Sequence, residues 1–287
     1  MGGTGGDGGA GGAGPSADPN DPNFSRPGIG GTEGVGGAGG DPGMPGLDGL
    51  PMISLTTNHG GAIYYETGCN IEINDCVFRG NASRQYDGSG GDGGAEYYQN
   101  DCVTTLNRTH FIANKAGSGG RGGAQFFNPF CSVEINDCNY ADNASGNSGG
   151  ALYTVSDCDL GVFASRFTGN ATASRIGQAT SGGAIFAGGV WDPNAYGWRN
   201  GGVVRIDDTF FASNRAAFGG GMVWHGDDVD ISITNSVFGN NVAENGGAMY
   251  WTGGMPLITD CTFTVSYTHL RAHETSLHLV CRLLLEK

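Results

Sequence analysis

Residues 60–81 read GGAIYYETGCNIEINDCVFRGN, and residues 122–143 read GGAQFFNPFCSVEINDCNYADN. Both stretches open on Gly-Gly-Ala, carry Cys nine residues after the first Gly and close on aromatic-x-x-Asn. The same frame recurs along the chain. Gly-Gly-Ala begins at Gly60, Gly93, Gly122, Gly149, Gly182 and Gly246, with Gly-Gly-Gly at Gly219. The aromatic-x-x-Asn element follows as Phe78–Asn81, Phe111–Asn114, Tyr140–Asn143, Phe167–Asn170, Phe211–Asn214 and Phe238–Asn241, and a further one begins at Phe263. From first Gly to aromatic the distance is 18 residues in the first four repeats, then 29, 19 and 17. Fixed segments alternating with variable loops are the signature of stacked structural repeats.

Inside each repeat the polarity alternates with a period of two: Cys69, Ile71 and Ile73 alternate with Asn70, Glu72 and Asn74. That period belongs to strands and excludes helical solenoids. Repeats of 27 or more residues holding about three short strands fit one coil of a parallel β-helix. Successive coils of such a helix rise by about 4.8 Å. The expected fold is all-β, a right-handed parallel β-helix of about seven coils over residues 53–263. On the first strand of each coil, the Ala two residues after the first Gly and the large residue two further on (Tyr64, Tyr97, Phe126, Tyr153, Phe186, Val223, Tyr250) are expected inside. Glu96 and Gln125, one position earlier than Tyr97 and Phe126, mark the alternate face as outward. Asn81, Asn114, Asn143, Asn170, Asn214 and Asn241 are expected to stack as a structural ladder at a turn.

Gly60–Ile63 and Phe78–Asn81, with the five motif pairs in register behind them, resemble the repeats of the chlamydial polymorphic outer-membrane proteins. The resemblance covers roughly residues 55–263. It implies a right-handed β-helix displayed at a cell surface, often as the adhesive passenger of an autotransporter. The coils also resemble pectin-lyase-like proteins in general, which transfers fold better than function. No membrane barrel accompanies the repeats, and the Gly-rich flank is not part of the family pattern.

Both ends differ from the repeats. Residues 1–52 form a Gly-rich low-complexity segment, with 20 Gly in the first 50 residues, and are expected to be a disordered linker. From Val265 the chain reads VSYTHLRAHETSLHLVCRLLLEK and resembles the translation of a sequencing-library adapter. Residues 264–287 are therefore read as outside the native fold.

The chain carries 14 Lys and Arg against 28 Asp and Glu, a formal net charge of −14, which excludes an electrostatic footprint for nucleic acid. No apolar run approaches the roughly 20 residues of a membrane-spanning helix. Cys69, Cys102, Cys131 and Cys158 fall in one slot of consecutive coils. Their expected spacing suits either disulfides (Cys69–Cys102 and Cys131–Cys158) in an exported protein or a buried file of thiols.

Two candidate sites stand out. Five residues after the first Gly lie Tyr65, Tyr98, Phe127, Thr154, Ala187, Trp224 and Trp251, expected as an outward row. An insertion after Ala187 adds Trp191, Tyr196 and Trp198. With Trp224 and Trp251 these form a candidate surface for a glycan or a host or neighbour-cell protein, unless the loop folds its own rings onto the sheet. Next to Trp224, His225, Asp227, Asp228 and Asp230, joined by Asp192, could act as an acid–base group or hold Ca²⁺; a solvated acidic turn is the alternative. The expected function is an adhesive or structural passenger at the outer surface of a bacterial cell, with no cofactor required. The rival reading is a polysaccharide lyase or glycosidase centred on Asp192–Asp228.

Overall fold

A computed structural model describes residues 58–83, 90–173, 180–192, 197–199, 202–226, 230–264 and 267–268; the Gly-rich segment and nearly all of 265–287 lie outside the described residues. The chain builds a parallel β-solenoid of about six turns. Three seven-stranded parallel sheets run its length, each taking one strand from every pass. The first sheet holds Ile63–Tyr65 and its equivalents through Met249–Thr252, the second Asn70–Asn74 through Leu257–Thr259, and the third Val77–Arg79 through Thr262–Thr264. A fourth, four-stranded sheet stacks Ala82–Ser83, Lys115–Ala116, Ala144–Ser145 and Ala171–Thr172. Tyr267–Thr268 pair in parallel with Val242–Ala243. No described helix is long and apolar enough to cross a membrane.

Left-handed residues make the corners. Between second and third sheets every pass bends at one residue with φ between 47° and 55°: Asp75, Arg108, Asp137, Ala164, Asp208, Asn235 and Asp260. Asp and Asn hold five of these seven positions, in keeping with their tolerance of this conformation; Arg108 and Ala164 hold the other two. A second bend follows the third sheet, at Gly80, Ala113, Asp142, Gly169, Ser213 and Asn240.

The Gly-Gly pair has a steric cause in each residue. The first, as Gly122 with φ 64°, would bring a Cβ to 2.1 Å from the carbonyl oxygen of Gln125. The second, as Gly123, lies between backbones: a Cβ would sit 2.0 Å from the oxygen of Gly150 in the next coil and 2.7 Å from the backbone of Ala144 across the coil. Two main chains approach there too closely for any side chain.

Three files of side chains fill the interior. In the third sheet Phe78, Phe111, Tyr140, Phe167, Phe211, Phe238 and Phe263 stack with centroids 4.6–5.2 Å apart and ring planes within 11°. Stacked pairs add about 0.5–1.5 kcal/mol each beyond buried area. The second sheet turns Ile73, Leu106, Val133, Ile135, Leu160, Val162, Val204, Ile206, Ile231 and Ile233 inward. At the corner beyond the third sheet, Asn114 donates its backbone N–H and its amide Nδ2 to Asn143 Oδ1, both at 3.0 Å. Nδ2 also donates back to Phe78 O at 2.9 Å, so one side chain ties three consecutive coils. The pattern repeats from Asn81 to Asn241, and Asn114, Asn143, Asn170, Asn214 and Asn241 are buried.

The first sheet corrects the expected facing. Glu96, Gln125, Leu152, Ile185 and Met222 are fully buried, and the row of Tyr98, Phe127, Thr154, Ala187 and Trp224 beside them points inward too. The row running from Tyr64 to Tyr250 is the outward one. A period of two fixes alternation but not phase, and aromatic residues on both faces (Tyr64–Tyr65, Tyr97–Tyr98, Phe126–Phe127) removed the usual contrast. Glu96 and Gln125 are tolerated inside because they are hydrogen-bonded there: Tyr98 Oη donates to Glu96 Oε2 at 2.8 Å, Gln125 Nε2 to the same oxygen at 2.7 Å, and Tyr140 Oη to Gln125 Oε1 at 2.6 Å.

Two substitutions separate these constraints. Gly123→Ala is expected to cost about 3 kcal/mol or more, because backbone must move on two sides. Gly80→Ala, with open space but φ 68°, should cost only about 1–2 kcal/mol. Urea unfolding of both variants measures the difference. Asn143→Ala strips partners from Asn114, Phe111 and Asn170 together and should cost on the order of 3–5 kcal/mol by the same assay.

Candidate functional site

The outward row of the first sheet forms a second aromatic file. His59 stacks on Tyr97 at 4.3 Å, and Tyr97, Phe126, Tyr153 and Phe186 follow at 5.2, 5.1 and 4.6 Å. In the next coil the slot is Val223, so the file is interrupted before Tyr250. His225, two residues further along the same strand and face, stands between the flanking rings, 5.3 Å from Phe186 and 6.3 Å from Tyr250. Around this break lies a cleft of about 440 Å³ lined by Arg121, Asn147, Ser148, Tyr153, Ser181, Phe186, Phe218, His225 and Tyr250. Its volume falls within the range of small-ligand pockets.

The strands place the rings, and the segments leading into each Gly-Gly pair supply the wall. Arg121 immediately precedes Gly122, and its guanidinium lies 4.6 Å from the Phe126 centroid and 5.1 Å from that of Tyr153. Asp92 in the preceding coil accepts from Arg121 Nε at 3.1 Å and Nη2 at 2.8 Å. Burial disfavours the charge on Arg121, but the Asp92 carboxylate outweighs it and holds the guanidinium above its ordinary range. The pair is thus internally neutralised. Burial lowers the pKa of His225, so its imidazole is neutral at pH 7; Nδ1 lies 2.6 Å from Thr252 Oγ1. Burial also raises the Tyr153 hydroxyl pKa, partly offset by Arg121. The floor is accordingly aromatic, the wall carries amide, hydroxyl and imidazole groups, and the lining residues contribute no carboxylate.

The residues singled out in the sequence are distributed differently. Trp224 is fully buried in the core, stacked 5.2 Å from Trp251, and its indole nitrogen has no hydrogen-bond partner. It is therefore not a surface residue. Trp251, 44% exposed, faces the same interior slot on the last pass of that sheet. The insertion after Ala187 forms an antiparallel hairpin in which Trp191 opposes Trp198 and Val190–Asp192 pairs with Gly197–Arg199; Tyr196 lies outside the described residues. Asp227 and Asp228 also lie outside them. Asp230 is exposed at the start of Asp230–Thr234, and His225 belongs to the cleft. Among the described residues no group of three or more His, Cys, Asp or Glu is arranged to hold a metal ion. Tyr153, Phe186 and Tyr250 form one register row in the sequence, expected inside and found on the outer face; Arg121 carries no sequence signal.

The seven described cysteines are free thiols. Cys102, Cys131 and Cys158 donate to backbone carbonyls of the preceding coil, at Glu66, Gln99 and Asn128, over 3.1–3.2 Å. Gly202 takes the slot in the next coil, where a Cβ would lie 2.1 Å from Cys158 O, and the file ends there. Alkylation of the unfolded, unreduced protein should label Cys69, Cys102, Cys131 and Cys158 in full, and labelling of the folded protein should favour the half-buried Cys69 over the other three.

No family model, curated protein or solved structure matches the chain.

Proposed function

We propose that this chain is an adhesive or structural passenger, exported to a bacterial cell surface, whose cleft over Tyr153, Phe186 and Tyr250 holds a neutral glycan. The cleft carries the reading. The ring edges of Tyr153 and Phe186 and the ring of Tyr250, brought together by the coil repeat, offer apolar contact to a sugar, while Asn147, Ser148, Ser181 and His225 line the cleft with amide, hydroxyl and imidazole groups. A neutral ligand fits best, because Arg121 is neutralised by Asp92 and the chain as a whole carries −14. The resemblance of the Gly-Gly-Ala and aromatic-x-x-Asn pairs to the chlamydial repeats supports export and surface display. Turnover is the weaker reading: glycoside hydrolysis uses two carboxyl groups flanking the bond, and Asp92, the carboxylate that borders this wall, is held by Arg121.

The test is retardation of the protein in native gels containing neutral polysaccharides, such as mannan, galactan or β-glucan. Phe186→Ala and Tyr250→Ala should each weaken binding by about tenfold or more. Phe130→Ala, which removes an exposed ring from a corner, should leave it unchanged. Equal retardation of all variants, or none for the wild type on any gel, overturns the assignment. New reducing ends or unsaturated sugars would move it to the lyase or hydrolase reading.

A further inference from the structure

Glu96 places a carboxyl group inside the solenoid, against the first described coil. Its Oε2 accepts from Tyr98 Oη and Gln125 Nε2, as above, and its Oε1 lies 3.3 Å from Tyr65 Oη, which donates to the carboxylate and accepts from the O–H of the acid form. The titratable groups facing it are therefore tyrosines: Tyr65 from the strand before, Tyr98 on its own strand, and Tyr140 across the interior through Gln125. Burial raises the pKa of all three hydroxyls and keeps them protonated. The Cys69 and Cys138 thiols border Tyr65 and Tyr140. No Lys, Arg or His is among the groups acting on Glu96, so an ionised carboxylate has donors there but no counter-charge.

The two sides of this network differ in how firmly they are held. Gln125 lies on a strand paired on both edges, whereas Tyr65 belongs to Ile63–Tyr65, which is the last strand of its sheet among the described residues, as Asn70–Asn74 and Val77–Arg79 are of theirs. In a solenoid each coil is stabilised by its immediate neighbours, so an end coil can open alone.

We propose that residues 59–83 form a pH-released end coil: Glu96 in its protonated form keeps this coil docked, and its ionisation drives the coil to undock and admit water to the carboxylate while the following coils stay folded. Burial pushes the Glu96 carboxyl up to about 7 from its ordinary 4.5, against the opposing effect of its three hydrogen bonds. The folded state thus holds this proton more tightly than the open state. Its contribution to docking is complete below pH 4.5, falls as the pH rises through about 7 and is constant above that. His59, in the same coil, works in the opposite sense. Burial lowers its pKa, and it is neutral when docked, with Nδ1 accepting from Asp92 N–H at 3.0 Å; acid therefore weakens docking through His59. The Glu96 effect must be read as a difference between proteins at each pH.

Amide hydrogen exchange of the full chain, read by peptide mass and corrected for intrinsic rates, makes that comparison between wild type and Glu96→Gln. Protection of residues 60–83 in the variant relative to wild type should rise about tenfold per pH unit between about pH 5 and 7. The same ratio for residues 122–172 should stay flat. A flat ratio in 60–83, or an equal rise in both regions, overturns the proposal. Should Glu96→Gln not fold, Tyr65→Phe serves instead: removing one donor to the carboxylate should extend the loss of protection in 60–83 to higher pH, and an unmoved profile overturns the proposal.

Discussion

The hydrogen bonds passed from one asparagine to the next fix everything else in this solenoid. Each amide accepts from the backbone and side chain of the coil before it and donates to the coil after it and to an aromatic residue's carbonyl. A corner in a parallel solenoid leaves backbone groups that no sheet can pair. The asparagine fills that vacancy on every pass and so locks the vertical register to one coil. With register fixed, the Phe and Tyr three residues earlier must stack on one another, and the Gly-Gly pairs must meet the backbone across the coil.

Loop length is free to vary because the constraint is local to the corners. Coils differ by up to ten residues between Gly-Gly pairs, from 27 to 37, yet the sheets keep their pairing through the longest of them. Part of the longest insertion is the hairpin of Val190–Asp192 with Gly197–Arg199, and the described segments before the Gly-Gly pairs carry Arg121, Asn147, Ser148 and Ser181. Those segments wall the outer aromatic face, and the cleft lies where Val223 breaks that face. A structural periodicity and one departure from it thus produce the candidate site.

The interior shows how the same framework accommodates polarity. Glu96 and Gln125 occupy positions that other coils fill with Leu152, Ile185 or Met222, and they do so as members of a network in which three tyrosine hydroxyls supply donors. Satisfied in this way, a polar pair can replace an apolar one; unsatisfied, it would be among the costliest changes a core can suffer. The file of thiols is a milder case, since sulfur fits as a small apolar group and bonds weakly to the carbonyls beside it.

The sequence by itself determined the class of fold, because the spacing from Gly-Gly to aromatic-x-x-Asn and the alternation in Cys69–Ile73 depend only on local geometry repeated along the chain. The alternating second strand and the asparagine ladder at a turn were legible for that reason. Facing of the first sheet was not: Tyr64 and Tyr65 are equally apolar, and Glu96 reads as an outward residue until its partners Tyr65 and Gln125 on the two neighbouring strands are known. The cleft needed tertiary structure for the same reason. Arg121, Phe186 and Tyr250 are separated by 65 and 64 residues, and only the stacking of coils, which converts a repeat length into a rise of about 4.8 Å, brings them to one surface.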